Sequence, residues 1–120
     1  MKTRLSDSEL KVMDVLWDGG ELTAGQIAKL LNERIGWNRN TTYTVINKLV
    51  QKGAIVRNEP SFLCKAAISK EEVQLQEAEE LIDKFFDGSA ELFLSAYIGG
   101  KTLSKDEINR LKQLIEDLGS

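Results

Sequence analysis

The chain has 120 residues, 42% hydrophobic and 29% charged. That suits one folded domain, or a small domain with an appended oligomerisation segment, and excludes a disordered polymer. The net charge of −3 argues against a chain that is basic throughout, and no apolar run approaches the about 20 residues of a membrane helix.

The N-terminal stretch MKTRLSDSEL is basic for four residues but has no apolar segment, so it does not read as a signal peptide. A cytoplasmic location without membrane insertion is the expectation. Four segments then share one pattern of apolar, Ser/Thr, two residues, Glu/Gln, apolar. They are Leu5-Ser6-Asp7-Ser8-Glu9-Leu10, Leu22-Thr23-Ala24-Gly25-Gln26-Ile27, Ile68-Ser69-Lys70-Glu71-Glu72-Val73 and Leu103-Ser104-Lys105-Asp106-Glu107-Ile108. Each combines a capping box with a hydrophobic staple, which fixes a helix start more firmly than periodicity alone.

The first helix is expected over residues 7–17, with Leu10, Met13, Leu16 and Trp17 inward and Gly19-Gly20 ending it. The second is expected over 24–33, with Ile27, Leu30 and Leu31 inward and Gly36 as its break. The third lies in WNRNTTYTVINKLVQKG, residues 37–53, capped by Asn38 and stopped at Gly53. Val45, Ile46, Leu49 and Val50 form its apolar stripe. The opposite face carries Asn40, Thr41, Tyr43, Thr44, Asn47, Lys48 and Gln51, and no carboxylate occurs between Arg34 and Gly53. Hydroxyls, amides and cations without carboxylates are what a helix needs to donate to phosphates and reach base edges in a DNA major groove.

The period then changes. Residues 54–57 and 62–66 read as extended, and Asn58-Glu59-Pro60-Ser61 between them is turn chemistry. Three helices and a hairpin in this order form the winged helix-turn-helix arrangement, and Glu21-Leu22 could add a short third strand. The fold expected is therefore mainly α with a small β-hairpin: a winged helix-turn-helix DNA-binding domain over 1–69 and a helical dimerisation domain over 70–120.

Helices are expected over 70–86, 89–98 and 105–118, separated by Asp87-Gly88 and Gly99-Gly100. They are too few and too short to enclose a core. A second copy of the chain is expected to cover their apolar positions, with Leu81, Phe85, Phe93, Tyr97, Ile108, Leu111 and Ile115 in the interface. Charge divides along the same line. Residues 1–70 hold eleven Lys/Arg against seven Asp/Glu, and residues 71–120 hold five against twelve. This points to nucleic-acid binding by the first half and a separate task for the second.

Little supports catalysis. There is no histidine, so the commonest general base and metal ligand are missing. The single cysteine, Cys64, excludes an intramolecular disulfide and is expected in the second wing strand as a small apolar residue. No phosphate-cradling glycine motif or metal-loop spacing occurs. The expectation is a non-enzyme with no cofactor and no metal.

The pieces Ser8-Glu9-Leu10-Lys11-Val12-Met13, Leu16-Trp17, Trp37 through Thr41, Thr44, Ile46, Leu49, Lys52-Gly53 and Leu103 through Ile108 occur in one order and spacing. In them the chain resembles the penicillinase-repressor (BlaI/MecI-type) family of winged-helix transcription regulators, over residues 5–118. The resemblance implies a homodimer that binds a palindromic double-stranded operator and represses transcription in antibiotic resistance. It also implies relief by proteolytic cleavage, triggered through a membrane sensor-protease pathway that detects β-lactam. The matching bond is Ala96–Tyr97, where the family pattern has Asn–Phe. Carried over by position, DNA contact falls to Asn40, Thr41, Tyr43, Thr44 and Lys48. Asn40 and Tyr43 stand where relatives carry basic residues. Copper-responsive relatives have a C-terminal cysteine cluster that is not found here.

Thr41, Tyr43 and Thr44 are thus expected to read base edges, and Arg39, Asn40, Lys48 and Lys52 to hold phosphates. The wing, with Arg57 and Lys65 flanking a tip that contains Glu59, is expected to add little. Two other readings stay open: a winged-helix module that binds protein, and a repressor that responds to a different signal, such as a small ligand at the dimer interface.

Overall fold

In the computed structural model, residues 4–119 are described; residues 1–3 of the basic N-terminal stretch and Ser120 lie outside the described residues. In chain order the elements are α1 (Asp7–Gly19), β1 (Leu22–Thr23), α2 (Ala24–Ile35), α3 (Arg39–Gln51), β2 (Ile55–Asn58), β3 (Leu63–Ala66), α4 (Lys70–Phe86), α5 (Ala90–Gly99) and α6 (Lys105–Gly119).

The helix starts follow from side chains that answer free first-turn amides. At α1 the Ser6 hydroxyl accepts from the Glu9 amide, and the Glu9 carboxylate accepts from the Ser6 amide at 2.8 Å. Thr23 with Gln26 closes the same ring at α2, and Ser104 with Glu107 closes it at α6. At α4 the ring is altered: Ser69 accepts from the Glu72 amide, but its hydroxyl rather than its amide donates to the Glu72 carboxylate. Asn38 caps α3 and Ser89 caps α5. Each such cap stabilises its helix by about 1 kcal/mol.

Helix ends run slightly past the expected positions. α2 continues to Ile35 because the terminator is Gly36 itself, whose φ of 74° is left-handed and whose amide donates back to the Asn32 carbonyl. Gly36, Trp37 and Asn38 then connect α2 to α3, and the two helices pack against each other.

The chain packs as two units, Met1–Ala78 and Glu79–Ser120. In the first, α1, α2 and α3 enclose a core in which Val12, Met13, Ile27, Ile46 and Leu49 have no solvent access. The Trp17 indole N–H donates to the Ile68 carbonyl at 3.0 Å, and Val73 from the first turns of α4 is buried. β3 lies between β1 and β2 in an antiparallel sheet, so the third strand forms at Leu22–Thr23. The register pairs Ile55 with Ala66 and Arg57 with Cys64, which puts these four side chains on the inner face; Val56 and Lys65 point the other way. Cys64 is accordingly buried, and burial pushes its thiol pKa up despite the opposing charge of Arg57. Thr42 is also buried, outside the expected apolar stripe, and its hydroxyl has no partner among the described residues.

In the second unit, α5 and α6 contain no buried residue. The rings of Phe86 and Phe93 meet edge-on at 5.4 Å, and Phe93 stacks on Tyr97 at 5.8 Å. Beside this row a cavity of about 460 Å³ opens between α5 and α6, with Leu111 and Leu114 on its far wall. No helix among the described residues is long and apolar enough to cross a membrane.

Candidate nucleic-acid interface

α3 buries Thr42, Val45, Ile46 and Leu49 against the core. The helical period therefore turns Asn40, Thr41, Thr44, Asn47, Lys48 and Gln51 outward, and all six are exposed. The result is a surface with one cation and five neutral hydrogen-bonding groups.

Arg39 and Tyr43 belong together. One turn apart, they share a 2.8 Å hydrogen bond from the guanidinium to the phenol oxygen, and the guanidinium carbon lies 5.0 Å from the ring centre. Tyr43 is half-buried, so its ring orientation is fixed from below by packing and from above by Arg39. Only one guanidinium N–H is used in this bond, which leaves the others to donate elsewhere. Lys48 makes no ion pair among the described residues.

The remaining candidate cations each meet another side chain. The Lys52 ammonium donates to the Glu9 carboxylate at 2.6 Å and to the Arg4 carbonyl at 2.9 Å, at the start of α1. Burial disfavours the charge on Glu9, yet the Lys52 hydrogen bond, the Ser6 amide and hydroxyl, and the Lys52 charge together hold its carboxyl below the usual range. The two wing cations leave the sheet on opposite faces. Arg57 reaches inward, donating to Asn47 of α3 at 2.5 Å and lying 5.3 Å from the Phe62 ring centre. Lys65 faces outward, 4.0 Å from Glu21. Charge counts could not reveal either arrangement. The strand alternation 55, 57 against 56, 65 could have separated the two wing cations.

Asn47 is the residue the sequence underplayed. It lies on the polar face of α3 but also fastens the wing to that helix through Arg57. A small cavity of about 250 Å³ remains beneath the clip, walled by Tyr43, Ile46 and Phe62.

Three packed helices followed by a hairpin, with the polar face of the third helix turned outward, define a winged helix-turn-helix protein. Residues 5–117 match the Penicillinase repressor family, and the chain belongs to it. It is 25% identical over 116 residues to the penicillinase repressor of Bacillus licheniformis, covering 95% of this chain and 91% of that one. Against the methicillin resistance regulatory protein MecI of Staphylococcus aureus (strain N315) it is 23% identical over 113 residues, covering 92% of each. Among solved structures, the DNA-binding domain of the repressor BlaI superposes with a TM-score of 0.54 at 28% identity, covering 60% of this chain and 93% of that one. Monomeric Bacillus licheniformis BlaI in complex with the blaP half-operator superposes with a TM-score of 0.53 at 26% identity, covering 58% and 88%.

Proposed function

We propose that this chain is a transcriptional repressor that binds a palindromic operator as a homodimer and reads it with α3. The observation that carries the reading is the exposed, carboxylate-free face of α3 on a fold similar to that of a repressor solved on its half-operator. Thr41, Thr44 and the Tyr43 hydroxyl are suited to base edges, and Asn40, Lys48 and Arg39 to the flanking phosphates. Lys52 serves the fold through Glu9 instead. Arg57 acts by holding the wing to Asn47, and Lys65 on the outer face adds little.

Dimerisation is supported by the apolar surface that α4, α5 and α6 leave open. Leu81, Phe85, Tyr97, Ile108, Leu111 and Ile115 are all exposed, more than one chain leaves uncovered without a partner. A role in antibiotic resistance is supported by family membership and by the names of the relatives, and relief by cleavage is proposed with it. The bond in question, Ala96–Tyr97, lies in α5, inside the apolar unit whose loss would part the two copies. A β-lactam-type signal relayed by a membrane sensor-protease would act there, on a protein that stays in the cytoplasm with its operator.

The test is duplex binding against salt. Lys48→Ala should weaken binding to all sequences and lower the slope of log affinity on log salt by about one per bound protomer. Tyr43→Phe should instead alter which operator variants are preferred. An unchanged affinity and slope for Lys48→Ala would remove α3 from the groove.

A further inference from the structure

At the rim of the core, a cleft of about 200 Å³ runs between α2 and α3. Its floor is Gly25 and Ala28, and its walls are Lys29 and Arg39, with Asn32 at one end. Positions 25, 28, 29 and 32 share one face of α2 by helical spacing, so this is a continuous groove and not a chance gap. The two smallest residues of that face lie between its two cations. Arg39 reaches the groove as the first residue of α3, with its guanidinium already oriented by Tyr43. Asn32 donates to the Trp37 carbonyl at 3.0 Å, which braces the turn that brings α3 alongside. Lys29 makes no ion pair among the described residues, although Glu33 follows it by one turn.

We infer that this cleft seats one phosphodiester of the DNA backbone, with Lys29 and Arg39 as its donors and Gly25 kept small to leave it room. The inference rests on the reading of α3 as the DNA-binding helix, and it extends the contact to a second helix. When the second helix of a helix-turn-helix enters the major groove, the helix before it crosses the backbone, so a cation on that helix beside one at the start of the next is placed to meet phosphate. The chemistry suits that ligand: two positive charges, no carboxylate in the lining, and space for a tetrahedral oxyanion. A methyl group at Gly25 would lie 3.9 Å from the Arg39 guanidinium, the Thr23 hydroxyl and the Tyr43 hydroxyl. That is ordinary contact, so the substitution fills the floor without disturbing the protein.

These distances make Gly25→Ala an unusual probe. Alanine in a helix is favoured over glycine, so the variant should fold at least as stably as the parent. It should nevertheless bind DNA more weakly. The experiment uses the full chain and a mixed-sequence duplex, since phosphate contact needs no particular operator, with fluorescence anisotropy over a salt series and thermal unfolding in parallel. Lys29→Ala should lower affinity several-fold and reduce the salt slope by about one per bound protomer. Gly25→Ala should lower affinity several-fold with an unchanged or raised Tm. If both variants bind as the parent does while Lys48→Ala weakens binding, the cleft holds no phosphate and the α3 reading stands. If the parent itself shows no duplex binding at low salt, the inference falls together with that reading.

Discussion

Ile46 on α3 and Ile115 on α6 both lie on the apolar stripe of a capped, amphipathic helix, yet Ile46 is 0% exposed and Ile115 is 61% exposed. The same contrast runs through the two units. Among the described residues, the first unit supplies every buried apolar side chain, from Leu5 to Val73, whereas Phe85 is 68% exposed and Leu118 is 78% exposed in the second. Local rules make both sets of helices. What differs is the presence of a facing surface in the same chain. The first unit has three helices crossing over a small sheet, which closes a core. The second has helices whose stripes meet only part of what they need. A stripe left uncovered in one copy is evidence about assembly, because burial of apolar surface is what stabilises a short helix in water.

The strongest way to break this comparison is to charge the open stripe. Leu111→Asp should turn the proposed dimer into a monomer, because two buried, unpaired carboxylates would enter one two-fold interface. The expected loss is about 5 kcal/mol of dimer stability, a rise of more than a thousandfold in dissociation constant. Sedimentation equilibrium reads it directly, and a parent that is monomeric at high concentration would end the argument for a shared stripe. Next in size is the closed core. Ile46→Ala should cost about 3 kcal/mol and lower the melting temperature of the first unit by roughly 10–20 °C. That shift should be the same at every protein concentration, while melting of the second unit should move with concentration. One joint, concentration-dependent transition would mean that the first unit does not stand on its own.

Most of the fold was legible because it is written in local chemistry. Ser6, Thr23, Asn38 and Ser104 announce helix starts within four residues of sequence, and Gly36 announces a stop. The hairpin is announced by the loss of helical period around Asn58 and Pro60. The polar face of α3 was legible for the same reason, since a period of 3.6 separates outward from inward positions. What the sequence concealed depends on residues distant in the chain. Lys52 reads as an unpaired cation until Glu9, forty-three positions earlier, is seen beside it. Arg57 resembles a free wing cation until strand register turns it toward Asn47. The groove around Gly25 is invisible as sequence because its cations, Lys29 and Arg39, belong to two helices.

The Glu9–Lys52 pair sharpens the comparison at its smallest scale, since it is a charge held in the closed unit. Glu9 is only 4% exposed, while the Lys52 side chain is 41% exposed, so the carboxylate depends on the pair more than the ammonium does. Lys52→Ala should therefore cost about 2 kcal/mol, most of it from leaving a buried carboxylate short of a donor. Glu9→Gln should cost less, about 1 kcal/mol, since the amide oxygen can still accept from Ser6 and Lys52. The two variants should also differ from the parent in pH dependence. Because the Glu9 carboxyl is held below its ordinary value in the folded protein, its contribution is fully present above the usual carboxylate range. It is lost as the pH falls through the lowered folded value, where both folded and unfolded chains carry the proton. Urea unfolding of parent and Glu9→Gln across that range should show curves that differ at neutral pH and converge in acid. A gap that stays constant into acid would assign the loss to packing and remove the ion pair from the account of α1 and α3.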